Sequence, residues 1–516
     1  MRAPGRVFFT CWITYTVFWT PYIVREHFPA ITLADSGTLN VQRFLGYTDD
    51  IFPSARGGAF INNNPGASIT GAIPLFVLRP LIARVKAWNL QQPHPPIPLD
   101  DGEFFWRTVR ERLQFYFLLI AFLTVALVMA PITAGTAAFF CARLQAFGIS
   151  TSNAILVSLL YALGTPIFFR AALLNHNMLV CNAAFLAFLL LWDPAPSCSE
   201  QPALNPGPRA LQSFTSRPLR PLPAGLAGFL SGYCVLCDWS GVVVLATTSL
   251  YCLLRSAQPD SAKPDSGAQP RRSRLKTLLA FSAGAAVPLI LLVLYQRWAF
   301  GSPVLPSQHY MPPTAPTSHG YSGFDWPSPA LAWANFFDPR YGLFSYCPFL
   351  MLGLAAPFIP RSRRLIPTRE LWVLFLYLVL FVLFCAANQY SWLQPSTGFR
   401  YLVPVVPPLA ILSIEVARHF PRPLQWILAV CACAQSLVLA AAHVNDIRLA
   451  WSTLVERKGQ FFWMIRLRDA GLPVDWWYTL AAWMIPIVAA ICIWTPWKLF
   501  PWSPRSRTQS PLPGPQ

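Results

Sequence analysis

ASITGAIPLFVLRPLIARVK, residues 67–86, is mostly apolar, yet it carries Pro74, Arg79, Pro80 and Arg84. Two arginines near a bilayer centre are costly, so the run suits a helix lying at the membrane interface better than one crossing the core. That choice sets the side of every later loop. Spanning takes about 20 mostly apolar residues, and the rest of the chain offers twelve such runs, near 7–24, 113–139, 152–170, 178–193, 223–237, 240–256, 277–298, 343–360, 371–388, 401–418, 425–443 and 477–496. With 67–86 at the interface and the N-terminus inside, 21 of the 39 Lys and Arg fall inside and 15 of the 21 acidic residues fall outside. This is the positive-inside pattern. If 67–86 crossed, the clusters Arg361–Arg364 and Arg271–Lys276 would change side.

Composition leads to the same class. Over 516 residues, 54% hydrophobic against 12% charged excludes an ordinary soluble protein, and 38 Phe and 20 Trp fit helices whose outer faces meet lipid. The net charge of +18 sits in short loops between apolar runs, where it sets orientation; it does not imply a nucleic-acid partner. Eleven of the twelve cysteines lie in or beside apolar runs, and neither Cys234–Cys237 nor Cys431–Cys433 has a His or Cys cluster nearby, so they read as small packing residues. The apolar run 7–24 behind Arg2 and Arg6 reads as a retained first span.

The expectation is an all-α polytopic transmembrane helical bundle of about twelve spans with the lipid bilayer as its surroundings. It divides into a first span (1–24), a first outer loop with interfacial helices (25–112), a core with a second outer loop at 299–342 (113–443), and an outer membrane-proximal segment with a last span and inner tail (444–516). The stretches 194–222 and 257–274, rich in Pro, Ser and Ala, read as linkers.

Polar chemistry gathers on the outer side. In ITLADSGTLNVQRFLGYTDD (31–50), Asp35 reads either as a general base at the bilayer surface or as the N-cap of a short helix TLNVQRFLG. Asp49 and Asp50 read as paired oxygen ligands for a divalent cation or as a solvated turn. GGAFINNNPGASITGAIPLF (57–76) puts Asn62, Asn63 and Asn64 in a turn before a helix N-terminus, a place that can hold an anion or simply break the chain. Arg400, in NQYSWLQPSTGFRYLVPVVPPLA, is suited to a lipid-linked phosphate or to anchoring at the headgroups. There is no P-loop, GxGxxG, HExxH or GxSxG, and the spans are almost free of charge, which counts against an ion-coupled transporter.

The order of these motifs is familiar. A first span and acidic outer loop, a Pro-Gly turn before an amphipathic helix, TVRERLQFYFLL, the Asn175-His176 pair, GLAGFLSGYCVLCDWSGVVVL, YQRWAFGSP, PRYGLFSYCPFL and GFRYLVPVVPPLA together resemble the polyprenol-phosphate-sugar-dependent glycosyltransferases of superfamily C, the group of the protein O-mannosyltransferases and aminoarabinose transferases. The similarity runs in order from about residue 7 to 420. It implies an integral membrane transferase of the bacterial inner membrane that moves a sugar from a polyprenyl phosphate to a lipid, glycan or protein acceptor at the outer face. Asp35 would then be the base, and Arg400, with Asn63, Asn64 and His176, would hold the donor phosphate. Two departures stand out: the family often has Asp-Glu where this chain has Asp35-Ser36, and an acidic residue where it has Asn175-His176-Asn177. The alternative from another class is a lipid or polysaccharide flippase, which needs no catalytic carboxylate.

Overall fold

A computed structural model describes residues 2–93, 95–97, 103–192, 194–195, 215–216, 219–257, 270–472 and 477–499. It is 72% helix and 2% strand, an all-α fold. Most of both linkers, together with Asp100, Asp101 and the tail after 499, lies outside the described residues.

Among the described residues five helices are long and apolar enough to cross a bilayer, Gln114–Ala146, Arg274–Phe300, Thr368–Ala387, Arg400–Ala417 and Arg422–Ala442, or six if the bent pair Gly66–Val77 and Arg79–Gln91 is one span. These mark a multi-pass membrane protein. Several other apolar runs form shorter helices, among them Thr151–Leu163, His176–Leu191, Pro221–Cys237 and Gly241–Ser256. At 1.5 Å per residue these do not reach across a core about 30 Å thick. Local sequence ends them: Gly164 closes the first, and a tight turn at 238–240 separates the last two.

The decisive segment 67–86 is not one helix. Gly66–Val77 and Arg79–Gln91 meet at 81°. Pro80 has no N–H for the Phe76 carbonyl, which frees the backbone to turn there. Most of the first half is buried, whereas in the second only Ile82 and Asn89 are. The second helix is therefore the exposed half, and the first is packed into the protein.

Close helix contacts are made by small residues. Pro221–Cys237 lies so near the helix Pro270–Phe300 that a Cβ on Gly228 would sit 2.0 Å from the Phe281 carbonyl oxygen, and one on Gly284 2.0 Å from that of Gly225. Such mutual approach is how membrane helices gain contact where lipid already satisfies apolar surface. The core around them is aromatic and aliphatic, with Tyr15, Tyr161, Tyr251, Phe381 and Phe399 buried.

After the first apolar run the helix His27–Ser36 is followed by a hairpin, Ile51–Pro53 against Ala59–Ile61, in register Phe52↔Phe60. The hairpin delivers the Asn62–Asn64 turn to the next helix. Gly66 then seats against the end of Pro221–Cys237, where a Cβ would meet the Cys237 nitrogen at 2.8 Å.

Candidate functional site

Two charged residues, Arg25 and Glu26, follow the first apolar run directly. Glu26 is buried and Arg25 nearly so, with side chains 3% and 11% exposed. An unpaired buried charge is expensive, so its partners define the site. Glu26 Oε1 accepts from His176 Nδ1 at 2.6 Å, from Asn63 Nδ2 at 3.2 Å and from Arg25 Nε at 3.3 Å. Arg25 Nη1 donates onward to Asn62 Oδ1 at 2.8 Å and to Asp50 Oδ1 at 3.2 Å, and Asn62 Nδ2 donates to the same Asp50 oxygen at 2.7 Å. His176 Nε2 meets Asn177 Nδ2 at 3.0 Å and lies 3.7 Å from Asp238 Oδ2. A ring with its proton on Nδ1 and a lone pair on Nε2 satisfies Glu26 and Asn177, and leaves the Asp238 carboxylate facing that lone pair beyond hydrogen-bond distance.

Electrostatics holds this arrangement charged. Burial alone would raise the Glu26 carboxyl, but the Arg25 charge and the His176 hydrogen bond outweigh it and keep the group far below the usual carboxylate range. Burial likewise opposes the charge on Arg25, and Asp50 with Glu26 more than restores it. The adjacent His27 has no such rescue. Burial pushes it down to about 4 despite the Val24 backbone contact and the Glu26 charge. Its Nδ1 accepts from the Val24 N–H, and its Nε2 faces Thr124 Oγ1 at 3.1 Å.

Separate segments converge here. The chain after the first apolar run supplies Arg25 and Glu26, the segments flanking the hairpin supply Asp50, Asn62 and Asn63, the start of His176–Leu191 supplies His176 and Asn177, and the turn after Cys237 supplies Asp238. The second loop arrives through Met311, whose Sδ accepts from Asn62 Nδ2 at 3.9 Å and from the Tyr390 hydroxyl at 3.3 Å. Tyr401 lies within electrostatic reach of Arg25, and its hydroxyl accepts from Arg400 Nη2 at 3.0 Å. Arg400 is thus one tyrosine away from the cluster, and its buried Nε has no partner.

Within this cluster Asp50 is the most exposed carboxylate, its side chain 39% accessible against 16% for Asp238 and 3% for Glu26. Arg25 and Asn62 both engage its Oδ1, which fixes the group while leaving Oδ2 outside those bonds.

The residues expected from sequence divide into two groups. Asn63, His176 and Asp50 belong to the cluster, and Arg400 borders it. Asn64 instead holds the backbone in place, since its Nδ2 donates to the Val235 carbonyl at 2.8 Å and its Oδ1 accepts from Gln296, which pins the turn to two helices. Asp49 is exposed. Asp35 stands apart, near the C-terminal end of His27–Ser36, paired with Arg43 Nη2 at 2.6 Å on the surface. Nor is it an N-cap, because no helix begins there: the chain leaves through Gly37 in the left-handed region. Asn62, read with its two neighbours as part of an anion-holding turn, also belongs to the cluster, whereas Glu26, Arg25 and Asp238 were not singled out; the available signal was the adjacent pair of opposite charges closing an apolar run.

Among the described residues no group of three or more His, Cys, Asp or Glu is placed to hold a metal ion. With Glu26 and Asp50 both engaged by Arg25, the donor set does not fit a divalent cation. No family model, curated protein or solved structure matches this chain.

Proposed function

We propose that the protein is an integral membrane glycosyltransferase that moves a sugar from a polyprenyl-phosphate donor to an acceptor at the outer face of a bacterial inner membrane, in a bundle of about twelve spans and membrane-embedded segments. The observation that carries this reading is the convergence of every outer segment of the positive-inside topology, apart from the membrane-proximal one at 444–476, on one buried charged cluster beside Arg400. Membrane proteins keep such groups where they act. A pure scaffold has no use for a carboxylate fixed by a buried guanidinium yet left partly open.

In this reading Asp50 replaces Asp35 as the base. Its Oδ2 takes the proton from the acceptor hydroxyl or amine as that atom bonds to the sugar's anomeric carbon. The bond from that carbon to the phosphate oxygen breaks, the electron pair leaves with polyprenyl phosphate, and configuration inverts. Arg25 and Asn62 aim Asp50, and Glu26 holds Arg25 and His176 in place. Arg400 faces the charge growing on the leaving phosphate, where a fixed donor is worth most.

The test is incubation of purified protein with a panel of radiolabelled polyprenyl-phosphate sugars and a membrane extract as acceptor source. Consumption of one donor, lost in Asp50→Asn, supports the reading. A panel left intact, or a lipid that changes leaflet without losing its sugar, refutes it and favours a flippase.

A further inference from the structure

On the same outer side, a cleft of about 210 Å³ opens between the chain after the first span, the helix Phe104–Arg110, the top of Gln114–Ala146 and the helix Phe462–Asp469. Its walls are aromatic: Tyr22, Phe105, Phe117 and Phe462. Gln114 also lines it. This side chain is 1% exposed; its Nε2 donates to the Ala470 carbonyl at 3.4 Å, and its buried Oε1 has no partner. At the rim Glu103 accepts from Arg466, whose guanidinium lies 4.7 Å from the Phe105 ring centre and 5.1 Å from that of Phe462.

An unsatisfied buried carbonyl is destabilising unless an occupant donates to it. A lipid tail brings no donor, and an anion would meet the Glu103 carboxylate. A sugar ring brings hydroxyl donors for Gln114 Oε1 and Glu103, an acceptor for Arg466, and an apolar C–H face for the aromatic walls. Mostly apolar walls with a few fixed polar groups are the usual build of a small-ligand site.

We propose that this cleft binds a single sugar ring, that of the glycan acceptor. The word acceptor rests on the transferase reading; sugar binding itself does not. Ile23 lines the cleft two residues before Arg25, and Phe104, also in its wall, packs on Phe28 at 6.1 Å between ring centres, so the occupant sits beside the charged cluster.

The experiment is saturation-transfer NMR on the full-length protein in a detergent without a sugar headgroup, using methyl glycosides of common hexoses and pentoses as probes. At least one glycoside should give signal, and the signal should persist in Asp50→Asn. Gln114→Met, close in volume but without the carbonyl, should weaken binding about two- to tenfold, the loss of one neutral hydrogen bond. Tyr22→Ala, at a wall position 43% exposed and so safer for folding, should weaken it as well. No signal from any glycoside, unchanged binding in both variants, or displacement by short-chain phospholipid headgroups in place of sugars overturns the inference. Binding that follows these variants in a protein that consumes no donor would leave the cleft standing and remove only the transferase reading.

Discussion

Glu26→Gln is the sharpest perturbation of the cluster, because the amide keeps the shape and removes the charge. Three donors meet Glu26 Oε1: Asn63 and His176 are buried, and the Arg25 side chain is 11% exposed. Breaking a buried pair by removing one partner costs about 3 to 5 kcal/mol. Arg25 keeps Asp50 and Asn62, which argues for the lower end, so about 3 kcal/mol is expected. In thermal unfolding followed by tryptophan fluorescence in detergent, Tm should fall on the order of 5 °C at pH 7. Donor consumption should fall at least a hundredfold, since Asp50 loses its fixed orientation. The pH dependence gives an independent check. Folding depresses the Glu26 pKa, so its contribution is complete above the unfolded value of about 4.3 and is lost as pH falls below that. The stability gap between wild type and variant should therefore stay constant from pH 8 to 5 and close below about pH 4. A variant with wild-type Tm at pH 7, or a gap that widens on acidification below 4, would refute the buried ion-pair argument.

Asp35→Asn should leave donor turnover near normal and cost less than about 1 kcal/mol, because its pair with Arg43 is on the surface; loss of turnover with normal membrane levels would return Asp35 to the site. His27 gives an acid effect in a different window: its folded pKa of about 4 lies below the unfolded value near 6.5, so stability should drop by roughly 3 kcal/mol between pH 6.5 and 4. In His27→Gln that slope should vanish, and a slope that survives the substitution would assign it elsewhere. Arg400→Lys should raise the donor concentration needed for half-maximal transfer about tenfold or more, since an ammonium cannot reproduce the guanidinium fork; unchanged kinetics would make Arg400 a headgroup anchor.

The helical class was legible because apolar runs long enough to leave water must satisfy their own backbone. The cut at 238–240 was legible too, since the apolar runs 223–237 and 240–256 already stand apart there. Hydropathy sums over residues and does not register the 81° bend inside 66–91, which divides that run into a buried and an exposed half. That bend depends on backbone geometry.

The site shows the same division more sharply. His176, Asn63 and Asp50 could be picked out because their residue types are unusual beside apolar runs. Glu26 could not, since a charge at the end of a span ordinarily marks the point where the chain meets water. Its burial follows only from folding His176, 150 positions away, onto it. Asp35 lies apart from the cluster for a related reason. Distance along the chain from the first span suggested the bilayer surface, yet Asp35 and Glu26 are nine residues apart on either side of one helix, roughly 13 Å along its axis. A helix that carries Glu26 into the cluster must carry Asp35 away from it. An acidic residue near a helix C-terminus is disfavoured by the dipole, and Arg43 is the group that offsets it. The two carboxylates therefore sit in different surroundings: Glu26 is held by Arg25 and His176, Asp35 pairs with Arg43 at the surface, and the segment leading into the hairpin that ends in Asn62–Asn64 brings Asp50 to the cluster.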